Sequence, residues 1–323
     1  MSLEKRINIR MLNLGIIVPC FNEEETLTET NKRLIEIINN LIHLRKISSN
    51  SKIYYVDDGS SDTTWKIIES LSISNNKHIS GIKLSRNFGH QNALIAGLFS
   101  AQGDALISLD ADLQDDVNTI EAMIDEHLNG FDIVYGVRSE RTTDSLFKRL
   151  SASLFYSFMQ ALGTKVIKNH ADFRLLSRES VDYLKNFREV SLFLRGIVPL
   201  IGLKSTIVYY SRDKRYLGKS KYPLKKMLNF AVDGITSFSI APLRLVSLIG
   251  LFIFTISIIM SAYVFFLWLF TNSALPGWAS IVLPMYLLGG IQVLFLGIIG
   301  EYLGKIYEEV KDRPRFIIEK QLP

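Results

Sequence analysis

Acidic and amide side chains cluster directly after three short apolar runs of the sequence, where β-strands are expected to end. These clusters are Pro19 to Glu25, Asp57 to Asp62 and Asp110 to Gln114. Carboxylate and amide oxygens are hard ligands that suit Mg²⁺ or Mn²⁺, and such ions bridge the phosphates of a bound substrate. Because Asp110, Asp112 and Gln114 alternate along the chain, an extended segment would project all three to one side. These residue types predict a divalent-cation site that serves phosphate chemistry.

Each cluster also has a purely structural interpretation. An isolated Asp-x-Asp is more often a polar turn than a metal site, and Asp57 and Asp58 are equally typical of a turn that caps the following helix. Acids at 23–25 suit the first turn of a helix because of its dipole, so function is favoured for Glu23 and a structural role for Glu24 and Glu25. The placement of all three clusters at strand ends favours a shared binding site.

Several other classes of protein lack support in the sequence. No G-x-G-x-x-G follows the first strand and no G-x-x-x-x-G-K-[ST] occurs, which argues against a dinucleotide dehydrogenase and a P-loop enzyme. The only cysteine, Cys20, excludes an intramolecular disulfide and favours a reducing compartment. The histidines, His90 included, show no metal-ligand spacing, so no chemistry is assigned to them.

The elements that position the clusters are short β-rich runs separated by helical patterns. The strands are predicted at Leu14 to Val18, Ile53 to Val56, Ile79 to Leu84, Ala105 to Leu109 and Asp132 to Tyr135. Such alternation predicts an α/β fold with a mostly parallel sheet. Ligands of open α/β sheets bind beyond the carboxyl ends of the strands, where the polar clusters occur.

Two long uncharged stretches follow the α/β region. Of the 323 residues, 48% are hydrophobic, and 246–270 and 280–300 contain no charged residue. Each stretch is long enough for a helix to cross a hydrocarbon core roughly 30 Å thick, which predicts a two-helix transmembrane hairpin. Lys and Arg flank the two stretches and are missing between them, so both termini are expected to be cytoplasmic. Residues 223–244 are predicted to form an interfacial amphipathic helix.

The formal net charge of +5 is concentrated beside the first uncharged stretch. Seven Lys or Arg occur from Arg212 to Lys226 against one acid, Asp213. This segment is compatible with anchoring at anionic lipid headgroups and with binding of substrate phosphates. Nucleic-acid binding is not expected, since no recognised nucleic-acid motif is present.

An ordered series of motifs carries a resemblance to a known family. The motifs are V-P-C-F-N-E-E-E at Val18, V-D-D-G-S-S-D at Val56, L-S-R-N-F-G at Leu84, L-D-A-D-L-Q at Leu109, A-D-F-R-L at Ala171 and G-K-S-K-Y at Gly218. Along essentially its whole length the chain resembles the family 2 glycosyltransferases with a GT-A fold, in the branch that uses polyprenyl phosphates. Within that branch it is most similar to the bactoprenol glucosyltransferases and is related to the dolichyl-phosphate mannose synthases.

The resemblance implies roles for residues at matching positions. Pro19, Asn22, Glu23, Asp57, Asp58, Arg86 and Asp110 would bind the nucleotide sugar, and Asp110, Asp112 and Gln114 would hold Mg²⁺ or Mn²⁺. The catalytic residues would be Asp112, Asp172 and Arg138, with Asp172 either orienting the acceptor or acting as a base. The residues expected to grip donor and acceptor phosphates are Arg138, Arg149, Arg212, Arg215, Lys219 and Lys221.

The implied reaction is inverting transfer of a hexose, with glucose from UDP-glucose favoured, to undecaprenyl phosphate for O-antigen or other cell-surface glycans. Another donor, such as GDP-mannose or a UDP-aminosugar, and a non-catalytic scaffold or flippase component remain alternatives. The implied protein is a homotetramer of the bacterial inner membrane. Its expected parts are a catalytic domain at 1–210, a basic juxtamembrane segment at 211–245, spans at 246–270 and 280–303, and a cytoplasmic tail at 305–323.

Overall fold

The computed structural model describes residues 11–139, 170–189, 194–210 and 278–323, with scattered helical positions between 243 and 259. The strands in this part of the chain are β1 (Leu14–Cys20), β2 (Lys52–Asp57), β3 (Ile79–Leu84), β4 (Ala105–Ser108), β5 (Ile133–Arg138), β6 (His170–Ser177), β7 (Ser205–Tyr210) and β8 (Ile318–Gln321). The helices are α1 (Leu27–His43), α2 (Thr64–Ser74), α3 (His90–Ser100), α4 (Thr119–Leu128), α5 (Arg178–Leu184), α6 (Leu194–Leu200) and α7 (Trp278–Val310).

The strands form one sheet in the order β7-β5-β6-β4-β1-β2-β3-β8. The sheet is mixed, because β6 is antiparallel to β4 and β5, and β8 is antiparallel to β3, whereas the other neighbouring pairs are parallel. The predicted α/β architecture is present, but the expectation of a mostly parallel sheet did not include β6 and β8. An apolar run in a sequence indicates a strand without indicating its direction.

Both faces of the central strands are covered, which explains their continuous apolar sequences. Every residue of β1 is buried. On one face, Leu14, Ile16 and Val18 belong to the core that includes the buried stripe of α1. That stripe consists of Leu27, Thr30, Leu34, Ile38 and Leu41, whose spacing follows the helical period.

Helix α3 packs closely on the opposite face of the sheet. A Cβ atom at Gly97 would lie 2.4 Å from Ile17 Cγ2 and 2.9 Å from Val56 Cγ2, so glycine permits the close approach. The first residue of α3, His90, follows Gly89, whose φ of 92° is in the region that favours glycine. This packing brings the start of α3 to the edge of the sheet where β1, β2 and β4 end.

The strand β8 completes the sheet from a distant part of the sequence. Leu322 N donates to Gly81 O at 2.7 Å, and Ser85 N donates to Ile317 O at 3.0 Å. Ser80 Oγ adds a bond to Leu322 O at 2.9 Å. Residues 305–323 were expected to be a cytoplasmic tail, but residues 318–321 form a strand of the sheet.

The chain divides into two compact units, one formed by 1–160, 165–222 and 314–323, and the other by 161–164 and 223–313. The first contains the sheet, and the second contains α7. The predicted basic segment at 211–245 lies almost entirely outside the described residues, as does most of the predicted span at 246–270.

The predicted transmembrane hairpin is wrong, because no helix in the described part of the chain is long and apolar enough to cross a bilayer. The predicted multi-pass inner-membrane localisation is wrong for the same reason. The second predicted span falls within the 33-residue helix α7, which contains Pro284 and continues past the uncharged run to Glu301 and Lys305. The prediction rested on runs of uncharged residues, and such a run does not by itself establish a helix that crosses a bilayer.

Candidate active site

The polar segments after β1 and β2 bind each other at the carboxyl edge of the sheet. Asn22 Oδ1 accepts from Ser61 N at 2.9 Å, and Asn22 N donates to Ser60 Oγ at 3.0 Å. Glu23 N donates to Thr64 Oγ1 at 2.9 Å. Asn22 has a φ of 54°, a left-handed conformation that asparagine tolerates better than most residues. The predicted residues Asn22 and Glu23 therefore join these two segments, directly beyond the buried Pro19 of β1.

The adjacent acids Asp57 and Asp58 have different partners. Asp58 Oδ1 accepts from Phe88 N at 2.7 Å and Oδ2 from Gly89 N at 3.0 Å, so its carboxylate holds the segment between β3 and α3. Asp57 is fully buried, and its Oδ1 accepts from Ser60 N at 3.3 Å. Among the described residues, nothing donates to Asp57 Oδ2. Burial raises the pKa of both carboxyl groups.

Arg86 lies on the segment that Asp58 holds. Its guanidinium is 4.0 Å from the centre of the Phe88 ring, and Nη1 donates to Asn87 O at 3.0 Å. Gly59, with a φ of 66°, lets the two loops touch, because a Cβ there would lie 2.4 Å from the carbonyl carbon of Arg86. The structure thus brings Arg86 beside the loop of Asp57 and Asp58, with its side chain exposed.

The segment after β4 presents Asp110, Asp112 and Gln114 on its more exposed side. These three residues are half-buried, whereas the residues between them are buried. The segment is a turn and not the extended run assumed from the sequence, because Leu113 has a φ of 56°. Gln114 N donates to Asp112 Oδ1 at 3.3 Å, and Thr30 Oγ1 of α1 binds Ala111 O at 2.8 Å, which fixes the turn to the core. We call residues 110–114 the acidic turn.

The acidic turn offers a suitable donor set for a divalent cation. Desolvation, reinforced by the charges of Asp172, Asp115 and Asp112 and opposed by that of His90, raises the pKa of Asp110 to about 6. Within the described ranges, no three or more Asp, Glu, His or Cys side chains are arranged as a complete metal site. Mg²⁺ is often held by one or two carboxylates together with substrate phosphates and water. Asp110, Asp112 and Gln114 fit this partial kind of site.

Asp172 lies on β6 and is almost enclosed by side chains that donate to it. Arg195 of α6 binds both carboxylate oxygens, with Nη2 to Oδ2 at 3.1 Å and Nε to Oδ1 at 3.4 Å. Arg174 Nη2 binds Oδ1, and Gln91 Nε2 of α3 reaches Oδ2 at 3.4 Å. Desolvation favours the neutral acid, but Arg195, His90 and Arg174 hold the pKa of Asp172 well below its usual range. These contacts favour the ionised form of Asp172.

His90 links Asp172 to the acidic turn. Its Nε2 is 3.5 Å from Asp110 Oδ1 and 3.6 Å from Asp172 Oδ2. Desolvation opposes protonation, yet the two carboxylates raise the pKa of His90 to about 9. The antiparallel pairing of β6 with β4, in which Ser108 lies opposite Arg174, brings these residues together. No chemistry was assigned to His90 from the sequence, because the histidines show no metal-ligand spacing.

Arg138, at the end of β5, contacts residues that the sequence analysis did not select. Its Nη2 is 3.4 Å from Asp115 Oδ1, and its Nε donates to Tyr210 Oη at 3.2 Å. Tyr210 Oη in turn donates to Asp115 Oδ1 at 2.5 Å. The fully buried Arg174 was also missed as a site residue, although it belongs to the A-D-F-R-L motif. The predicted phosphate-binding residues Arg149, Arg212, Arg215, Lys219 and Lys221 lie outside the described residues.

Comparison with known proteins decides the family. Residues 15–184 match the model of glycosyl transferase family 2. The chain belongs to this family. It is 50% identical to the uncharacterized glycosyltransferase YkoT of Bacillus subtilis, over 96% of this chain and 92% of that protein. It is 39% identical to the SfII prophage-derived bactoprenol glucosyl transferase of Shigella flexneri, over 96% of this chain and 98% of that protein.

A solved structure similar to this family 2 chain is glucosyl-3-phosphoglycerate synthase of Mycobacterium tuberculosis in complex with Mn²⁺, UDP-glucose and phosphoglyceric acid. The TM-score is 0.48 at 19% identity, and the match covers 70% of this chain and 78% of that chain. The family match ends at residue 184, so it includes the acidic turn and Asp172 but not Arg195 or Tyr210. Those two residues enter the site through α6 and β7 of this glycosyltransferase.

Proposed function

We propose that the protein transfers a hexose, glucose from UDP-glucose, to a polyprenyl phosphate such as undecaprenyl phosphate, with inversion at the anomeric carbon. The observation that carries this proposal is that His90 lies between the acidic turn and Asp172 and is close to a carboxylate of each. Relatives named bactoprenol glucosyl transferase, 39% identical over nearly the whole chain, favour this acceptor and sugar.

Donor binding is assigned to the edge formed by the segments after β1, β2 and β3. Asp57 Oδ2, buried and without a donor among the described residues, is suited to accept a hydrogen bond from the base or ribose. Asp58 acts indirectly, since both of its oxygens already hold backbone amides. Pro19, Asn22 and Glu23 shape the same edge, and the exposed Arg86 is available to the donor diphosphate.

Asp110, Asp112 and Gln114 would hold Mg²⁺ or Mn²⁺ together with the donor diphosphate. Such a cation neutralises negative charge on the departing nucleoside diphosphate. The chain's own contribution is to keep two carboxylates on a turn that Thr30 fixes to the core. Arg138 is placed at the end of β5 to add positive charge beside this turn.

The acceptor requires little activation. A phosphate monoester with a second pKa near 6 is largely dianionic at neutral pH, so one of its oxygens attacks the anomeric carbon without a strong base. The new carbon–oxygen bond forms as the bond to the donor β-phosphate breaks, and the nucleoside diphosphate leaves. Asp172 therefore serves as an orienting group, kept ionised by Arg174 and Arg195. The enzyme acts mainly by alignment and charge neutralisation.

The deciding experiment measures transfer of labelled sugar from a panel of UDP- and GDP-sugars to undecaprenyl phosphate in detergent. Reactions contain Mg²⁺, Mn²⁺ or EDTA, with Asp112→Ala as the inactive control and Asp116→Ala, four residues further on, as the matched control. A lipid product from UDP-glucose that requires the metal and Asp112 supports the proposal. A product from GDP-mannose or a UDP-aminosugar alone corrects the donor, and no product from any donor overturns the function.

A further inference from the structure

A buried cluster lies where β5 and β7 end beside the acidic turn. It consists of Asp115, Arg138 and Tyr210, and we call it the tyrosine cluster. Arg138 and Tyr210 are register partners in the parallel β5–β7 pair. Ser139 locks the two strand ends together, because its N and Oγ both donate to Tyr210 O, at 2.9 and 3.0 Å. Asp115 directly follows Gln114, the last residue of the acidic turn.

The Tyr210 hydroxyl is the central atom of this cluster. It donates to Asp115 Oδ1 at 2.5 Å and accepts from Arg138 Nε at 3.2 Å, whereas the direct contact from Arg138 Nη2 to Asp115 is 3.4 Å. Only 4% of Asp115 and 4% of Tyr210 are exposed. The Tyr210 ring meets Phe173 edge to face, with 5.4 Å between ring centroids. The ring packing fixes the hydroxyl, and the hydroxyl fixes the guanidinium.

Arg138 is the member of the cluster that remains open to the site. About a quarter of its side chain is exposed, at 23%. Its bonds within the described ranges use Nε and Nη2, which leaves Nη1 for a ligand. A guanidinium held on one edge is pre-organised, since its planar fork matches phosphate oxygens without further loss of rotamer freedom.

We propose that Tyr210 and Asp115 are positioning residues that hold Arg138 beside the acidic turn so that it binds a phosphate group during sugar transfer. This inference rests on the proposed function, because it assumes a phosphate-bearing substrate. The phosphate is either the donor diphosphate or the acceptor monophosphate, and the two sources are separated by the kinetics. The competing explanation is that the cluster only joins β5 to β7.

The test compares Tyr210→Phe, which removes one oxygen, with Tyr209→Phe, the same change at an exposed neighbour. Steady-state kinetics are measured with the donor and the acceptor varied separately. We expect Tyr210→Phe to lower kcat/KM about tenfold, as for loss of one hydrogen bond to a charged group, and Tyr209→Phe to leave it unchanged. A higher KM for the polyprenyl phosphate alone identifies the acceptor phosphate, and a lower kcat or a higher KM for the nucleotide sugar identifies the diphosphate.

A double-mutant cycle separates positioning from simple strand joining. If Tyr210 acts through Arg138, Tyr210→Phe has no further effect on kcat/KM in an Arg138→Gln background. A full tenfold loss in that background, or wild-type kinetics for Tyr210→Phe alone, overturns the inference. Should Tyr210→Phe fold poorly, Arg138→Lys replaces it, because lysine keeps the charge and loses the fork. Wild-type kinetics for Arg138→Lys overturn the inference in that case.

Binding measurements keep this inference distinct from the proposed function. The affinities of UDP with Mn²⁺ and of farnesyl phosphate are measured by calorimetry for wild type, Tyr209→Phe and Tyr210→Phe. If the wild type transfers no sugar but Tyr210→Phe weakens one ligand about tenfold, the proposed reaction fails and the positioning role stands. If the wild type transfers no sugar, equal affinities of all three proteins for both ligands overturn the positioning role.

Discussion

Two acids of the candidate site, Asp58 and Asp172, are held by different kinds of hydrogen-bond donor. Near β2 and β3, Asp58 is bound by the backbone amides of Phe88 and Gly89. Near β4 and β6, Asp172 is bound by the side chains of Arg174 and Arg195. The first arrangement fixes the course of a loop, and the second fixes a charge.

The difference teaches what each region contributes. A carboxylate bound by backbone amides fixes the conformation of a loop, so its loss should alter substrate affinity more than turnover. A carboxylate bound by buried cations is part of an electrostatic network, so its loss should alter turnover and stability together. Four substitutions test this distinction.

The largest effect is expected for Asp172→Asn. The change removes the carboxylate that binds the buried Arg174, so we expect the free energy of unfolding in urea to fall by about 3 kcal/mol and transfer to fall about 10²- to 10³-fold. The matched control is Asp182→Asn, which disrupts an exposed pair with Lys185. Near-normal turnover by Asp172→Asn would contradict the network interpretation.

A smaller effect is expected for Asp58→Asn. An asparagine places an NH₂ group against one of the two backbone amides, and the unsatisfied donor should cost about 1–2 kcal/mol of stability. Because the loop that carries Arg86 shifts, the KM for the nucleotide sugar should rise several-fold, and kcat should change less. Kinetics with varied donor check this, and a pure kcat loss would erase the contrast with Asp172.

The neighbouring change Asp57→Asn should have the opposite effect on stability. Burial raises the pKa of Asp57, so the folded protein is penalised once this carboxyl ionises. The penalty is missing in acid and grows as pH rises above the usual carboxyl range. For Asp57→Asn we expect the free energy of unfolding to rise by about 0.5–1 kcal/mol at neutral pH, and this gain to disappear in acid. We also expect UDP to bind about tenfold more weakly. Urea unfolding at several pH values and calorimetry with UDP measure both; a loss of stability at pH 7 would show that Asp57 is structural.

The smallest effect is expected outside the candidate site, for Lys320→Ala. Lys320 Nζ binds Glu69 Oε1 at 2.7 Å, but 54% of the lysine side chain is exposed. Exposed ion pairs contribute little to stability, so we expect the free energy of unfolding to fall by less than about 0.5 kcal/mol and sugar transfer to be normal. Because this ion pair contributes so little, added salt should likewise change the wild type's free energy of unfolding very little. A larger loss would mean that β8 depends on this pair.

The local parts of the fold and site were predictable from the sequence. The run Ile79 to Leu84 was predicted as a strand and is β3, and β1, β2 and β4 begin within one residue of their predicted starts. The acidic turn and the segment of Asp57 were placed at the carboxyl edge for the same reason. Signals of this kind depend on consecutive residues, which apolar runs and turn residues report directly.

The missed parts depend on contacts between distant residues. His90 and Arg195 gain their roles because α3 and α6 bring them to Asp172, 82 and 23 residues away. Nothing in the flanking sequence of Tyr210 indicates that its partner is Asp115, 95 residues earlier. The uncharged runs were also misleading, since the composition of a segment alone does not establish a helix that crosses a bilayer.

Because β8 pairs with β3, one edge of β3 stays unpaired during synthesis until β8 has been made. Lys83 Nζ donates to Glu319 Oε1 across this pair, and the two residues are 236 apart in the sequence. At a synthesis rate of about 5–20 residues per second, the open edge of β3 waits roughly 10 to 50 seconds for its partner. During that interval β3 presents unpaired amides and carbonyls that another strand can bind. The growing chain must therefore protect an edge that the finished protein covers with its own last strand.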